Sequence, residues 1–338
     1  MDLGYLVRSG LAIPDYWHPY LELQPDFLSG KIGCYPCSMD VKADYPGQLD
    51  VEGVPVVFWG AEKKISPSPV NIALYGLGSH DVFIRTRNER YHQQMMCVLR
   101  WLEKHAVPLG TGISWSYEIE MPVYQLKAPW FSGIVQGLAL SLFVRAHQLD
   151  PDGPWSKLAH QTWQSYGAPI DEGGFCRRVD EGVIYEEYPG PELDCVFNGV
   201  CVALIGLWEA WSSGLIREAE ADFRNGLKGL RSYLPQFDYG NWSLYSLNRC
   251  LGTRPLLASP YYVRTNGILA QAVGLMAQDR LFCTYGERWV KNSGSIIRRV
   301  VMSLRIGLDR YRNAPSMLQA DKSKRLGRPL AVNESQIG

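Results

Sequence analysis

Hydrophobic spacing divides the chain near Asn88. Before that point, short alternating runs such as Val54-Pro-Val-Val-Phe-Trp59 lie between Pro, Gly and Tyr turn signals, which predicts an irregular, β-containing N-terminal arm over 1–87. From Asn88 a helical period takes over, with Tyr91, Met95, Val98, Leu99 and Leu102 at three- and four-residue steps over 88–105. Further helices are predicted over 131–149, 155–166, 194–212, 216–233, 263–277 and 288–308, with short β inserts near 111–124 and 173–185. After Ser316 the chain clusters Lys and Arg with little apolar content, so 316–338 reads as a flexible tail.

Three of the helical segments open alike. Trp130-Phe-Ser-Gly133, Val196-Phe-Asn-Gly199 and Arg264-Thr-Asn-Gly267 each precede an apolar run, and their glycines stand 66 and 68 positions apart. Between them lie amphipathic segments such as 216–233, where Ala219, Phe223, Leu227 and Leu230 form one stripe. A helix that is apolar all round belongs inside, and one with a single stripe belongs outside. The alternation predicts a mainly α chain: an incomplete α/α toroid over 88–315, with the smaller β-containing arm before it. The repeated glycine allows converging helix ends to pack closely, and a generic packing glycine accounts for it equally well. Loops entering the inner helices would collect at one mouth, and here they are aromatic and polar: Tyr124–Trp130, Tyr185–Pro191 and Ala258–Arg264.

Charge and composition narrow the function. With 34 Lys+Arg against 34 Asp+Glu, the chain lacks the positive surplus that general nucleic-acid or anionic-membrane binding requires. The most apolar stretches, 133–144 and 196–207, are too short to span a bilayer, and the first 30 residues lack a basic region followed by an apolar run. A cytoplasmic protein without a membrane span is the expectation. Eight cysteines at irregular spacing include one CxxC, Cys34 and Cys37, with no second ligand pair for zinc. Reduced packing residues and no metal are expected there. All six histidines lie at or before His160, so the second half of the chain must do any acid/base chemistry without its own imidazole.

Tyr185-Glu186-Glu187-Tyr188-Pro189 is the densest candidate for chemistry, because adjacent carboxylates can raise one another's pKa and a phenol can exchange a proton with a reacting centre. A solvated Glu and a core Tyr at a strand end is the alternative for such a motif alone. Its companions are Asp238-Tyr-Gly-Asn-Trp-Ser-Leu-Tyr245-Ser-Leu-Asn-Arg249 and Pro260-Tyr261-Tyr262. Together with APWFSGIVQGLALSLFVRA, YEEYPGPELDCVFNGVCVALIGLWE and Glu287-Arg-Trp289, these motifs run in order from about Trp115 to Trp289. In that order they resemble the C-terminal domain of the glucuronyl C5-epimerases, which convert D-glucuronate to L-iduronate within heparan-type polysaccharides.

The resemblance implies an α/α barrel with its active site at the mouth, dimerisation, no cofactor, and Glu187, Tyr188, Tyr245 and Tyr262 as catalytic positions. Removing a proton alpha to a carboxylate needs two acid/base groups flanking C5 and neutralisation of an enolate-like charge. On this reading Glu187 and Tyr262 take opposite faces. Arg249 and Arg264, and more weakly Arg254, would clamp the substrate carboxylate. Trp115, Tyr117 and Trp130 would stack on sugar faces, and Gln136, Asn198 and Asn266 would bond to hydroxyls, with core packing or capping as the alternative for each of these six. The expected partner is a uronic-acid polysaccharide such as heparosan. A lyase with the same proton abstraction followed by β-elimination, or a non-catalytic carbohydrate-binding toroid, are the competing readings. The chain departs from the family after Tyr245 (Ser246-Leu-Asn-Arg249) and after Tyr262 (Val263-Arg-Thr-Asn266), where basic groups have moved by a position or two.

Overall fold

The computed structural model describes residues 11, 13–28, 32–59, 64–248 and 256–308. It is mainly helical, with four small antiparallel sheets. Helices α1 (Pro69–Thr86), α3 (Gly133–Leu149), α5 (Phe197–Ser212) and α7 (Pro260–Ala277) alternate with α2 (Glu89–Lys104), α4 (Trp155–Gln164), α6 (Ala219–Tyr233) and α8 (Arg280–Ser293). The two sets differ in kind. In α5, 13 of 16 residues are buried, against 5 of 15 in α6, where Phe223 and Leu230 supply the stripe. Burying each such side chain contributes about 1.5–3 kcal/mol.

Packing follows that division. The apolar helices pack in the order α1, α3, α5, α7, and each carries the next helix in sequence on its outer side. At the centre of this arc α3 and α5 cross backbone to backbone. A Cβ on Gly137 would lie 2.4 Å from the Val202 carbonyl, and one on Gly206 would lie 2.5 Å from the Gly137 carbonyl, so only glycine admits this crossing.

Helix α1 lies inside the stretch that the sequence reading assigns to the irregular arm. Its apolar residues surround the helix, so it lacks a one-face period, and Pro69, Gly76 and Gly78 resemble turn punctuation. In place, Pro69 opens the helix and Gly78 lets it touch the backbone of 39–43. The segment predicted over 288–308 is two helices. α8 begins at Arg280 because the Asp279 carboxylate accepts from Leu281 N at 2.9 Å, and the chain breaks at Gly294 before α9 over 296–308.

The sheets are hairpins that set loops. β1 (Val56–Trp59) pairs with β2 (Lys64–Pro67), β3 (Val107–Leu109) with β4 (Gly112–Ser114), and β5 (Cys176–Val179) with β6 (Gly182–Tyr185). β7 (Asp238–Tyr239), β8 (Trp242–Ser246) and β9 (Leu256–Leu257) form the three-stranded sheet. Cys34 and Cys37 are free thiols. Among the described residues no helix is long and apolar enough to cross a membrane. The tail expected over 316–338 lies outside the described residues.

Candidate active site

The Glu186–Tyr188 segment leaves β6 and is gripped by the start of α3: Gly133 N donates to the Glu186 carbonyl at 2.8 Å and Ser132 Oγ to the Glu187 carbonyl at 2.7 Å. Gly133 has no room for a side chain, since a Cβ would stand 2.9 Å from the Tyr185 carbonyl. Anchored this way, the two glutamates point apart. Glu186 is wholly buried and receives Arg177 Nε at 2.8 Å, Asp194 N at 3.1 Å and Cys195 N at 2.8 Å. Arg177 also donates to the carbonyls of Gly190, Pro191 and Glu192, so this pair locks the loop that carries Tyr188.

Glu187 turns the other way. Its carboxylate lies over the first turn of α5, where a Cβ on Gly199 would come 2.5 Å from Oε2, and Oε2 is buried without a hydrogen-bond partner. Burial pushes its pKa up to about 8; the Tyr188 hydroxyl lowers it, and Asp194 and Glu186 raise it further. Four half-buried phenols surround this carboxyl. Tyr124 and Tyr188 stack face to face with centroids 4.0 Å apart, and Tyr245 meets Tyr262 edge to face at 4.9 Å. Burial, with Glu187 close by, raises the phenols of Tyr188 and Tyr245 well above their usual range.

Local sequence explains the placement of both outer tyrosines. Tyr245 sits on β8 where the pairing with β9 shifts register between Leu244 and Ser246. Tyr262 is in the first turn of α7, set by Ser259, whose hydroxyl accepts from Tyr262 N, and by Pro260 at the first helical position. Asn266, one turn further, donates to Ser243 Oγ and the Leu244 carbonyl and ties β8 to α7. Its Oδ1, like that of Asn198 beside Gly199, is buried without a partner. The starts of α3 and α5 therefore touch Glu187, and the start of α7 carries Tyr262.

Over residues 110–291, just over half its length, the sequence matches the family described as D-glucuronyl C5-epimerase C-terminus. The chain belongs to this family. It is 26% identical to a D-glucuronyl C5-epimerase of Caenorhabditis elegans over 224 residues, 61% of this chain and 36% of the worm protein. It is 24% identical to an uncharacterized protein of Methanocaldococcus jannaschii over 183 residues, 53% of this chain and 58% of the archaeal one. The chain thus spans about a third of the worm protein's length and over half of the archaeal protein's.

The structure brings together the four residues that the epimerase resemblance singles out, keeps Asn198, Asn266, Tyr117 and Trp130 around them, and engages Gln136, Trp115 and Arg264 elsewhere. Gln136 is fully buried, donating to the Ile113 and Thr162 carbonyls and accepting from Ser114, so it has no capacity left for a sugar hydroxyl. Trp115 is 1% exposed and donates to the Leu102 carbonyl. Tyr117 and Trp130 stack on each other at 4.2 Å, and Trp130 backs Tyr188 at 5.9 Å; both rings are buried supports of the site, not open platforms. Arg264 is diverted to the arm, donating to the Leu21 carbonyl at 2.8 Å with its guanidinium 3.5 Å from the Tyr20 ring centroid. Arg249 and Arg254 lie outside the described residues.

Three residues join the cluster that sequence reasoning missed. Tyr124 belongs to a loop whose aromatic character was the available signal. Asp194 is buried beside the side chains of Ser246 and Asn248. Burial and then Glu186 raise its pKa to about 7, tempered by Asn248, Ser246 and Arg177. His18 comes from the arm: its ring stacks on Tyr261 at 4.7 Å and stands edge-on to Tyr262 at 6.4 Å. The second half of the chain lacks histidine, but its active-site cluster does not.

The raised carboxyls make stability depend on pH. Below about pH 4, under the ordinary carboxylate values, Glu187 and Asp194 are protonated whether the chain is folded or not. Above these values the unfolded chain has released protons that the folded chain retains up to about 8 for Glu187 and about 7 for Asp194. Stability therefore falls as pH rises across that window. Urea midpoints measured across it should decline for the wild type and decline less for the double variant Glu187→Gln, Asp194→Asn; equal slopes would show that these groups do not carry the effect.

A smaller change tests how Glu187 is seated. Gly199→Ala places a Cβ 2.8 Å from the Glu187 Cβ, which must shift the carboxyl. Displacement of about 1 Å at a reacting group costs on the order of 10²-fold in rate. Turnover should fall by that order with the helical circular dichroism unchanged.

Proposed function

We propose that this chain inverts C5 of D-glucuronate residues to L-iduronate in a heparosan-like or related uronic-acid polysaccharide, by two-base proton transfer on an incomplete α/α toroid. The observation that carries the reading is Glu187: a buried carboxyl with one oxygen left without a partner and a pKa of about 8, ringed by half-buried phenols. A proton-transfer catalyst works best when its pKa lies close to the operating pH. Glu187 takes the C5 proton from one face, and Tyr262 donates to the other.

Loss of the C5 proton leaves an enediolate whose charge needs stabilisation in place. The diverted Arg264 does not supply it. The starts of α3, α5 and α7 converge on the cluster, and each presents the positive end of a helix dipole. Tyr188 and Tyr245 add hydroxyl donors. A phenolate formed on Tyr262 gains from the same helix end.

Incubation with heparosan in deuterated water distinguishes the outcomes. Deuterium at C5 together with new L-iduronate, and no unsaturated uronate absorbance, supports the epimerase. Unsaturated ends would reveal the lyase reaction instead, and no exchange at C5 would overturn proton abstraction altogether.

A further inference from the structure

A tyrosine that donates a proton must recover one, and a neighbouring imidazolium is a suited donor. The arm places a group suited to that task beside Tyr262. His18 Nδ1 lies 3.2 Å from Asp15 Oδ1, and the same oxygen accepts from His18 N at 2.7 Å. This carboxylate fixes the orientation of the imidazole.

The arm segment bearing this pair is held on α7 by several independent contacts. The Tyr261 hydroxyl donates to the Ile13 carbonyl, the His18 ring stacks on Tyr261, and Arg264 reaches Leu21 and Tyr20. The residue expected to clamp substrate instead clamps the strap that delivers His18. None of this strap lies within the family match of 110–291.

We infer that the Asp15–His18 pair is a proton relay to Tyr262, an addition to the C-terminal epimerase machinery contributed by the N-terminal arm. When Tyr262 gives its proton to C5, the O–H bond breaks and a phenolate remains. The imidazolium of His18, whose ring centroid stands 6.4 Å from that of Tyr262, returns a proton to that oxygen through one water and becomes neutral. Solvent then reprotonates the imidazole, and the proton on Glu187 leaves to solvent. His18 is thus a positioning and relay residue acting through Tyr262. The titratable and charged groups around it include Asp15 on its own segment, with Lys42 near that carboxylate, and Tyr261 and Tyr262 on α7; Tyr245 meets Tyr262, Glu187 lies near Tyr245, and Arg264 faces Tyr20.

The relay gains its catalytic meaning from the epimerase reading, but its test does not depend on substrate. With ring-labelled ¹³C-tyrosine, the Tyr262 resonance, assigned by its disappearance in Tyr262→Phe, is followed against pH. In the wild type it should show a step as the imidazole titrates. His18→Phe, which keeps a ring to stack on Tyr261, should abolish the step and lower kcat at neutral pH by about 10²-fold. His18→Ala should regain part of that loss with added imidazole. A Tyr262 resonance with no such step in the wild type, or one that persists in His18→Phe, overturns the relay. A step with no deuterium exchange at C5 overturns the epimerase reading and leaves the relay standing.

Discussion

Glu187→Gln is expected to reduce kcat for C5 exchange by about 10²–10⁴-fold, the usual contribution of a positioned acid/base group. Thermal stability at mildly acidic pH should hardly change. The reason is that the wild-type carboxyl is already protonated there, with a folded value of about 8, so glutamine replaces a neutral group by one of the same shape. Glu186→Gln should behave in the opposite way. It removes the charge that pairs Arg177 at 2.8 Å and holds two backbone N–H groups, so the loop loses its lock and stability falls along with activity. Single-turnover deuterium exchange together with melting curves for the two variants checks this. If Glu186→Gln were the one with intact stability and no turnover, the assignment of the two carboxylates would be reversed.

Arg145→Met should destabilise the protein by about 3–5 kcal/mol, the cost of stranding a buried charge. Arg145 on α3 and Glu209 on α5 form a two-pronged pair at 2.6 and 2.7 Å with essentially no exposure. The guanidinium also donates to the Ser141 and Gly33 carbonyls, so one cation joins two central helices to the N-terminal arm. Losing it leaves Glu209 buried and uncompensated. The double variant Arg145→Met, Glu209→Met removes both charges, and much of the loss should be recovered, as desolvation is then no longer opposed by half a pair. Urea unfolding of the three proteins measures this. Equal destabilisation in the single and double variants would show that packing, not stranded charge, sets the cost.

Much of the helical frame was readable because its signal is local. The stripe Ala219, Phe223 and Leu230 is buried, and Leu227 sits at its edge; the glycine-marked starts at 133, 199 and 267 all lie in inner helices. Helix α1 escaped because its buried residues, polar ones included, surround the helix and glycines interrupt it, so no single apolar face stands out. The four expected catalytic positions rest on a resemblance of collinear motifs, not on periodicity; what the structure adds is that they lie together. The dispersal of Gln136, Trp115 and Arg264 could not be foreseen, since their hydrogen-bond partners lie far along the chain, 243 positions away in the case of Arg264 and Leu21.

The sequence by itself determined the helical alternation, the family and the segment proposed to carry the chemistry, all of which depend on residues within a few turns of one another or on motif order. Only the tertiary structure decided which of two adjacent glutamates is structural, which arginine is spent on the arm, and that a histidine near the N-terminus stands beside a tyrosine 244 positions later. Such choices depend on which groups burial leaves with partners. A carboxylate given an arginine and two amides becomes a strut, and its neighbour, denied them, keeps a proton near neutral pH and is left able to exchange it.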